Sequence, residues 1–370
     1  MTSLNKFDVT GRPLRRHLLA LMYSRTRRHL FSATHFAAAV ALSALLFTSG
    51  CGLVHRQIET EKLLTPLSEA TPADLISAVN RLVGVRSIRG RVDIQFEDTS
   101  FATSGIAEKY RTADGSITIE RPGKVYLVIQ GPLAIDIAQM TSDGEHFRIA
   151  ILKGDEKYRR FVKGTNNAIY PKLDMDDAPS GGADKKAKSS SEAKTVNALS
   201  NLRPQHLTAA LLLSPIDAHA NGVFYAQSEF FESEKDPSKS GGSKRVIRGY
   251  YLLDEFQAGA ENSAKLLRRF WFDRVGGIRL ARLQSFDEKG VLVNDVSYGP
   301  LTKFGAEGNM QMSAKISLTR PQEHYKITIT YQAPESLVLD HEYPAEAFVL
   351  TNKWDLPEVD LDAKKTPPKN

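Results

Sequence analysis

The chain has almost no cysteine. Among 370 residues there is one, Cys51, and there are two tryptophans and nine scattered histidines. A single cysteine excludes an intrachain disulfide, so the fold must stand on its core. Catalytic signatures are missing as well. There is no glycine-flanked nucleophile elbow, phosphate-binding glycine loop, His-Glu-x-x-His helix or kinase motif. After residue 47 no apolar stretch reaches the roughly 18 residues that a membrane helix needs. The one dense titratable cluster, Asp340-His341-Glu342, is contiguous. Neighbouring residues on an extended chain face opposite ways, so this reads as a surface turn. The sequence points to no cofactor, no metal site and no enzyme activity.

What is present is concentrated at the front. Arg25, Arg27 and Arg28 precede the apolar run Phe36–Phe47, and Thr48-Ser49-Gly50 leads into Cys51. A basic segment, a short apolar segment and small residues before a cleavage point make a secretory signal. The cysteine directly after them resembles a bacterial lipobox, with Thr48 where an aliphatic residue is usual. The alternative is a plain signal peptide or signal anchor with an incidental cysteine. Met1 and Met22 both fit as the start. Residues 1–50 carry Lys6, Arg12, Arg15, Arg16, Arg25, Arg27 and Arg28 against Asp8, which accounts for the chain's whole net charge of +6. From Cys51 onward the chain is formally neutral, so its basic balance is no argument for nucleic acid. Arg268-Arg269-Phe270-Trp271-Phe272 interleaves cations and rings, but fits a half-buried strand with Phe270 and Phe272 inward and Arg269 and Trp271 outward.

Residues 1–50 are therefore expected to be a lipoprotein signal and 51–70 a tether from lipidated Cys51. The folded domain is expected at 71–354, with disordered insertions at 174–200 and 232–244 and a disordered tail at 355–370. Thr71-Pro72-Ala73-Asp74 predicts a helix start, with Thr71 as N-cap and Gly84 as the stop. A second, strongly apolar helix is predicted over 205–213, ended by Pro215. Between and around them the period is two. In 88–96 the even positions are apolar or glycine, the mark of a strand with one buried face. Strands are predicted near 105–111, 116–120, 124–130, 133–140, 146–152 and 157–162. They resume at 222–231, 245–254, 266–273, 277–286, 291–298, 310–319 and 324–332. Asp114-Gly115, Asp143-Gly144, Gly154-Asp155, Gly276-Gly277 and Lys289-Gly290 read as turns. Short connections imply antiparallel neighbours, and a curved antiparallel sheet can enclose one apolar ligand. The residues placed as lining such a cavity are Ile94, Phe96, Leu127, Ile129, Ile135, Ile137, Phe147, Ile149, Leu211, Phe270 and Phe272. The same alternation also describes a filled core.

Residues 121–133, Arg-Pro-Gly-Lys-Val-Tyr-Leu-Val-Ile-Gln-Gly-Pro-Leu, resemble the strand–loop–strand segment of the LolA/LolB lipoprotein-localisation family, nearer to LolB. Ala134 stands where the usual glycine would be. The helix ending in Ser214-Pro215, the hairpin over 278–299 and the strands from Ser317 to near Trp354 resemble later parts of that family in the same order. The resemblance implies an incomplete antiparallel β-barrel with helices forming a lid over an apolar cavity that receives acyl chains. It implies an outer-membrane lipoprotein facing the periplasm, held to the membrane surface through Cys51. Acylated lipoprotein or lipid is the implied cargo, delivered by a periplasmic carrier of the LolA type. Leu133 matches the position where the family exposes an apolar loop toward the membrane. The function expected on this resemblance is binding of acylated cargo and assistance in its insertion into the outer membrane. The alternative is a structural or assembly lipoprotein of the envelope with a filled core.

Overall fold

A computed structural model describes residues 60–99, 108–109, 112–154, 156–166, 203–236 and 244–363. The chain divides into Met1–Thr60 and Glu61–Asn370, and the fold below is that of the second unit. The signal at 1–50, Cys51, the first part of the tether, the insertion at 174–200 and most of the strand expected at 105–111 lie outside the described residues.

Helix α1, Pro72–Val83, starts as its sequence dictates. The Thr71 hydroxyl accepts the Asp74 N–H at 3.3 Å and the Asp74 carboxylate accepts the Thr71 N–H at 2.9 Å, a closed capping box. Leu75 and Val79 are fully buried on one face. The helix ends at Gly84 in right-handed backbone, so that glycine is a stop without the left-handed cap its type often provides. Helix α2, Pro204–Leu211, has proline in its first turn and buries Leu207, Ala210 and Leu211.

The strands are β1 Ser87–Asp98, β2 Ala113–Glu120, β3 Lys124–Gln130, β4 Asp136–Asp143, β5 His146–Ile151 and β6 Arg160–Thr165 before α2. After it come β7 Val223–Lys235, β8 Arg245–Ala258, β9 Ala264–Asp273, β10 Arg279–Phe286, β11 Leu292–Tyr298, β12 Lys315–Arg320 and β13 Tyr325–Tyr331. Residues 301–304 and 310–313 form a separate two-stranded hairpin between β11 and β12. Two antiparallel meanders, β1–β6 and β7–β13, are joined by one long-range seam in which β1 pairs with β13, Ile94 opposite Ile329. The sheet does not close. Among the described residues β7 pairs with β8 alone, and the opposite edge is a three-residue strand, Glu358–Asp360, added parallel to β6. This is the mostly β, incomplete antiparallel barrel with short helices that the sequence led us to expect.

Alternation sets the faces. Ile88, Val92, Ile94 and Phe96 of β1, and Phe270 and Phe272 of β9, share one core with the apolar faces of both helices. Trp271 lies on the outer face with Tyr250 and Leu252, its indole N–H donating to Gln284 Oε1 at 2.9 Å and Arg282 placed over its ring. Arg269 pairs with Asp254 at 2.6 Å. These arginines therefore hold carboxylates and a ring on the outside of a sheet.

Four expectations need correction. Asp114-Gly115 is not a turn but lies inside β2, where Gly115 pairs with Ile129 and Val92. A Cβ on Gly115 would stand 2.5 Å from the Val128 carbonyl oxygen, so glycine is there for strand approach rather than chain reversal. Of the insertion expected at 232–244, residues 232–235 complete β7 and pair with Arg248–Arg245, and residues 237–243 lie outside the described residues. The tail expected from 355 is ordered to 363: Leu350 and Leu356 pack on Ala150 and Phe161 on the outside of β5–β6. The end of the tether is docked too. Lys62–Leu63 pair in parallel with Val246–Ile247, and Glu69 bonds both the Tyr251 hydroxyl and Arg274.

Candidate functional site

A cavity of about 430 Å³, open on one side, lies between the two helices and the concave face of the sheet. Helix α1 contributes Ala78 and Leu82, and the end of α2 contributes Leu211 and Leu213. The floor is Leu280, Tyr298 and Ile316, and the hairpin over 301–313 closes one wall with Met310 and Met312. Two polar contacts set its shape. The Tyr298 hydroxyl donates to the Ala210 carbonyl at 3.1 Å, which fixes the end of α2 against β11. Asn80 of α1 donates to the Ile216 carbonyl at 2.9 Å and accepts the Ile216 N–H at 2.8 Å, tying α1 to the segment after α2. Arg81, Arg279, Asn309, Gln311 and Ser313 supply the polar part of the lining. Volume and lining are those of a small apolar-ligand site.

Of the residues placed in a cavity by sequence, Leu211 alone lines this one. Ile94, Phe96, Leu127, Ile129, Phe147, Ile149, Phe270 and Phe272 are all buried in the packed core. Ile137 is half-buried. Ile135 is 46 % exposed and does not line this cavity. The register shifts between Ile129 and Gln130, and the Gly131 N–H closes onto the Ile135 carbonyl at 2.9 Å, so regular alternation resumes only at Asp136. Sequence reading missed Leu82, Ile278, Leu280, Met310, Met312 and Ile316. The signal available was the pair of methionines two apart. Thioether side chains are flexible and suit irregular apolar sites.

Leu133 sits at the tip of the β3–β4 connection and is 93 % exposed. It and Ala134 both adopt left-handed backbone, φ 63° and 55°. Two successive non-glycine residues in that region store strain. By strand direction this tip is at the opposite end of the sheet from the 301–313 hairpin and the cavity.

Among the described residues no group of three or more His, Cys, Asp or Glu is placed to hold a metal ion. Asp340 accepts the Arg86 N–H at 2.7 Å, and His341 lies edge-on to Tyr343 on the surface. Inside, His206 Nδ1 is 3.1 Å from the Tyr325 hydroxyl. Burial, with the Arg320 and Arg203 cations adding to it, pushes its pKa down to about 3, so the imidazole is neutral.

No family model matches the chain, and no curated protein matches it. Solved structures do. A DUF1329 family protein from Desulfovibrio piger is 11 % identical, covering 75 % of this chain and 95 % of its own, at a TM-score of 0.40. A LolA superfamily protein from Nitrosomonas europaea is 9 % identical, covering 76 % and 99 %, at 0.35. An outer-membrane lipoprotein-sorting protein domain from Vibrio parahaemolyticus is 8 % identical, covering 75 % and 97 %, at 0.38.

Proposed function

We propose that this protein is a lipid-anchored envelope protein that holds an acyl chain of a lipid or lipoprotein and assists its placement in the outer membrane. The observation that carries the reading is the apolar cavity between α1, α2 and the sheet. An acyl chain in water costs about 0.8 kcal/mol per methylene. A protein that moves one therefore needs a dry concave surface, and it needs no nucleophile. The anchor is Cys51, and the docked part of its tether reaches the sheet at Arg245, where Glu61 pairs at 3.4 Å. Leu133 and Ile135 form the apolar tip that meets a membrane. The cargo is delivered by a periplasmic carrier of the LolA type.

The test is uptake of a fluorescent fatty acid by the full chain, compared with Met312→Trp, which fills the cavity. Saturable uptake at one ligand per chain that Met312→Trp abolishes supports the reading; equal uptake by both proteins overturns it. Leu133→Glu is expected to weaken vesicle binding and leave uptake unchanged.

A second reading has its own observation. Eight of the eleven residues placed in a cavity by sequence are packed core, as a structural envelope lipoprotein requires. That reading expects no uptake at all.

A further inference from the structure

The cavity is lopsided in charge. Among the described residues that line it there are two arginines and no aspartate or glutamate. Arg279 is already neutralised: it donates to Asp273 Oδ2 at 2.7 Å and to the carbonyls of Tyr298 and Gly299. Arg81 is not. It lies in the last turn of α1, exposed, with no hydrogen-bond or ion-pair partner among the described residues. Six of the protein's buried and half-buried arginines are neutralised as Arg279 is. Arg248, Arg268, Arg269, Arg274, Arg282 and Arg320 each have a carboxylate within 3 Å. A cation in the last turn complements the helix dipole, but that works as well pointing away from a cavity.

From this we infer that the acyl chain bound in the cavity carries an anionic head, read by Arg81 at the mouth. This rests on the acyl-chain reading above and adds its chemistry. A guanidinium recognises carboxylate and phosphate oxygens by charge-assisted hydrogen bonds, and it offers nothing to an ammonium. The cavity of about 430 Å³ is the volume of on the order of a dozen water-sized groups, so it takes one chain rather than several. The ligand class is thus a single-chain anion, or one chain of an anionic phospholipid. The apolar wall sets the tail and Arg81 sets the sign of the head.

The experiment is native mass spectrometry of the full chain released from nonionic detergent, titrated with palmitate, hexadecanol and hexadecylamine. These share a tail and differ in head charge. The expected result is palmitate binding about tenfold tighter than the other two, the margin of one charge-assisted contact. Arg81→Gln brings palmitate level with hexadecanol, Arg81→Lys keeps most of the preference, and neither moves the unfolding midpoint. Phosphatidylglycerol displacing palmitate where phosphatidylethanolamine does not identifies a phospholipid head; displacement by neither identifies a free fatty acid. Equal binding of all three ligands by the wild type overturns the inference and leaves acyl binding standing. A palmitate preference that survives Arg81→Gln overturns Arg81 as the reader. Binding of no tail, or binding that Met312→Trp leaves intact, overturns the acyl-chain reading itself.

Discussion

Asn80 and Ile216 bind each other twice. The Asn80 amide satisfies both backbone groups of Ile216, a residue that is 3 % exposed and 136 positions away. Nothing else in the described chain fastens α1 to the segment after α2 by side-chain hydrogen bonds in this paired way. Asn80→Ala leaves a buried N–H and a buried carbonyl without partners. It should cost about 1–3 kcal/mol in urea unfolding. It should also loosen the cavity wall, so that a fluorescent fatty acid dissociates faster from the variant. Unchanged stability would mean that water replaces both bonds.

Gly115→Ala should destabilise by about 1–3 kcal/mol, since the new methyl meets a backbone carbonyl that cannot rotate away. Gly90 gives a useful contrast. A Cβ there would fall 1.8 Å from Leu337 Cδ2, a side-chain terminus. Gly90→Ala should therefore be relieved in part by Leu337→Ala. A double-mutant cycle by thermal unfolding reads the coupling, and strict additivity would refute the contact.

Ala134→Gly should stabilise the protein by about 1 kcal/mol, because residue 134 holds φ 55° and glycine pays no Cβ penalty there. The measurement is the midpoint of chemical unfolding. Vesicle binding should not fall, because Leu133 stays at the tip.

His206 predicts acid sensitivity. Its folded pKa lies near 3, below the ordinary value of about 6.5, so between those limits the unfolded chain binds a proton that the folded chain refuses. Stability contributed by this group is complete above about pH 6.5 and declines as pH falls toward 3. The slope approaches about 1.4 kcal/mol per pH unit within that window. His206→Gln should remove that slope, measured as unfolding free energy at pH 7 and pH 5. Parallel pH profiles for the two proteins would show that His206 is charged or solvated in the folded state.

The strands were legible because their buried faces alternate. Ile88, Val92, Ile94 and Phe96 declare β1 without help, and Thr71 with Asp74 declares the start of α1. Gly115 reads as a turn because Asp-Gly is a strong turn signal, and its role in letting β2 approach Val128 depends on a residue of another strand. Of the hairpin over 301–313, the strand expected at 310–319 covers only the second arm, since each arm is four residues, too short for period two to register. The cavity was least legible. Phe147 and Leu280 are both inward apolar residues, and only the tertiary placement of α1 and the hairpin decides that one is packed and the other lines open space. The docking of residues 358–360 on β6 was hidden by a polar composition that also suits a free tail.

The seam between β1 and β13 has a kinetic consequence. Each meander can form from neighbours in sequence, but Ile94 meets Ile329 only across a separation of more than two hundred residues. Long-range pairing of this kind is slow, because loop closure must precede any reward. The first long strand to leave the ribosome waits for almost the last. The chain therefore lacks its complete sheet until nearly all of it has been made, and a truncation that removes β13 leaves β1 with an unpaired edge.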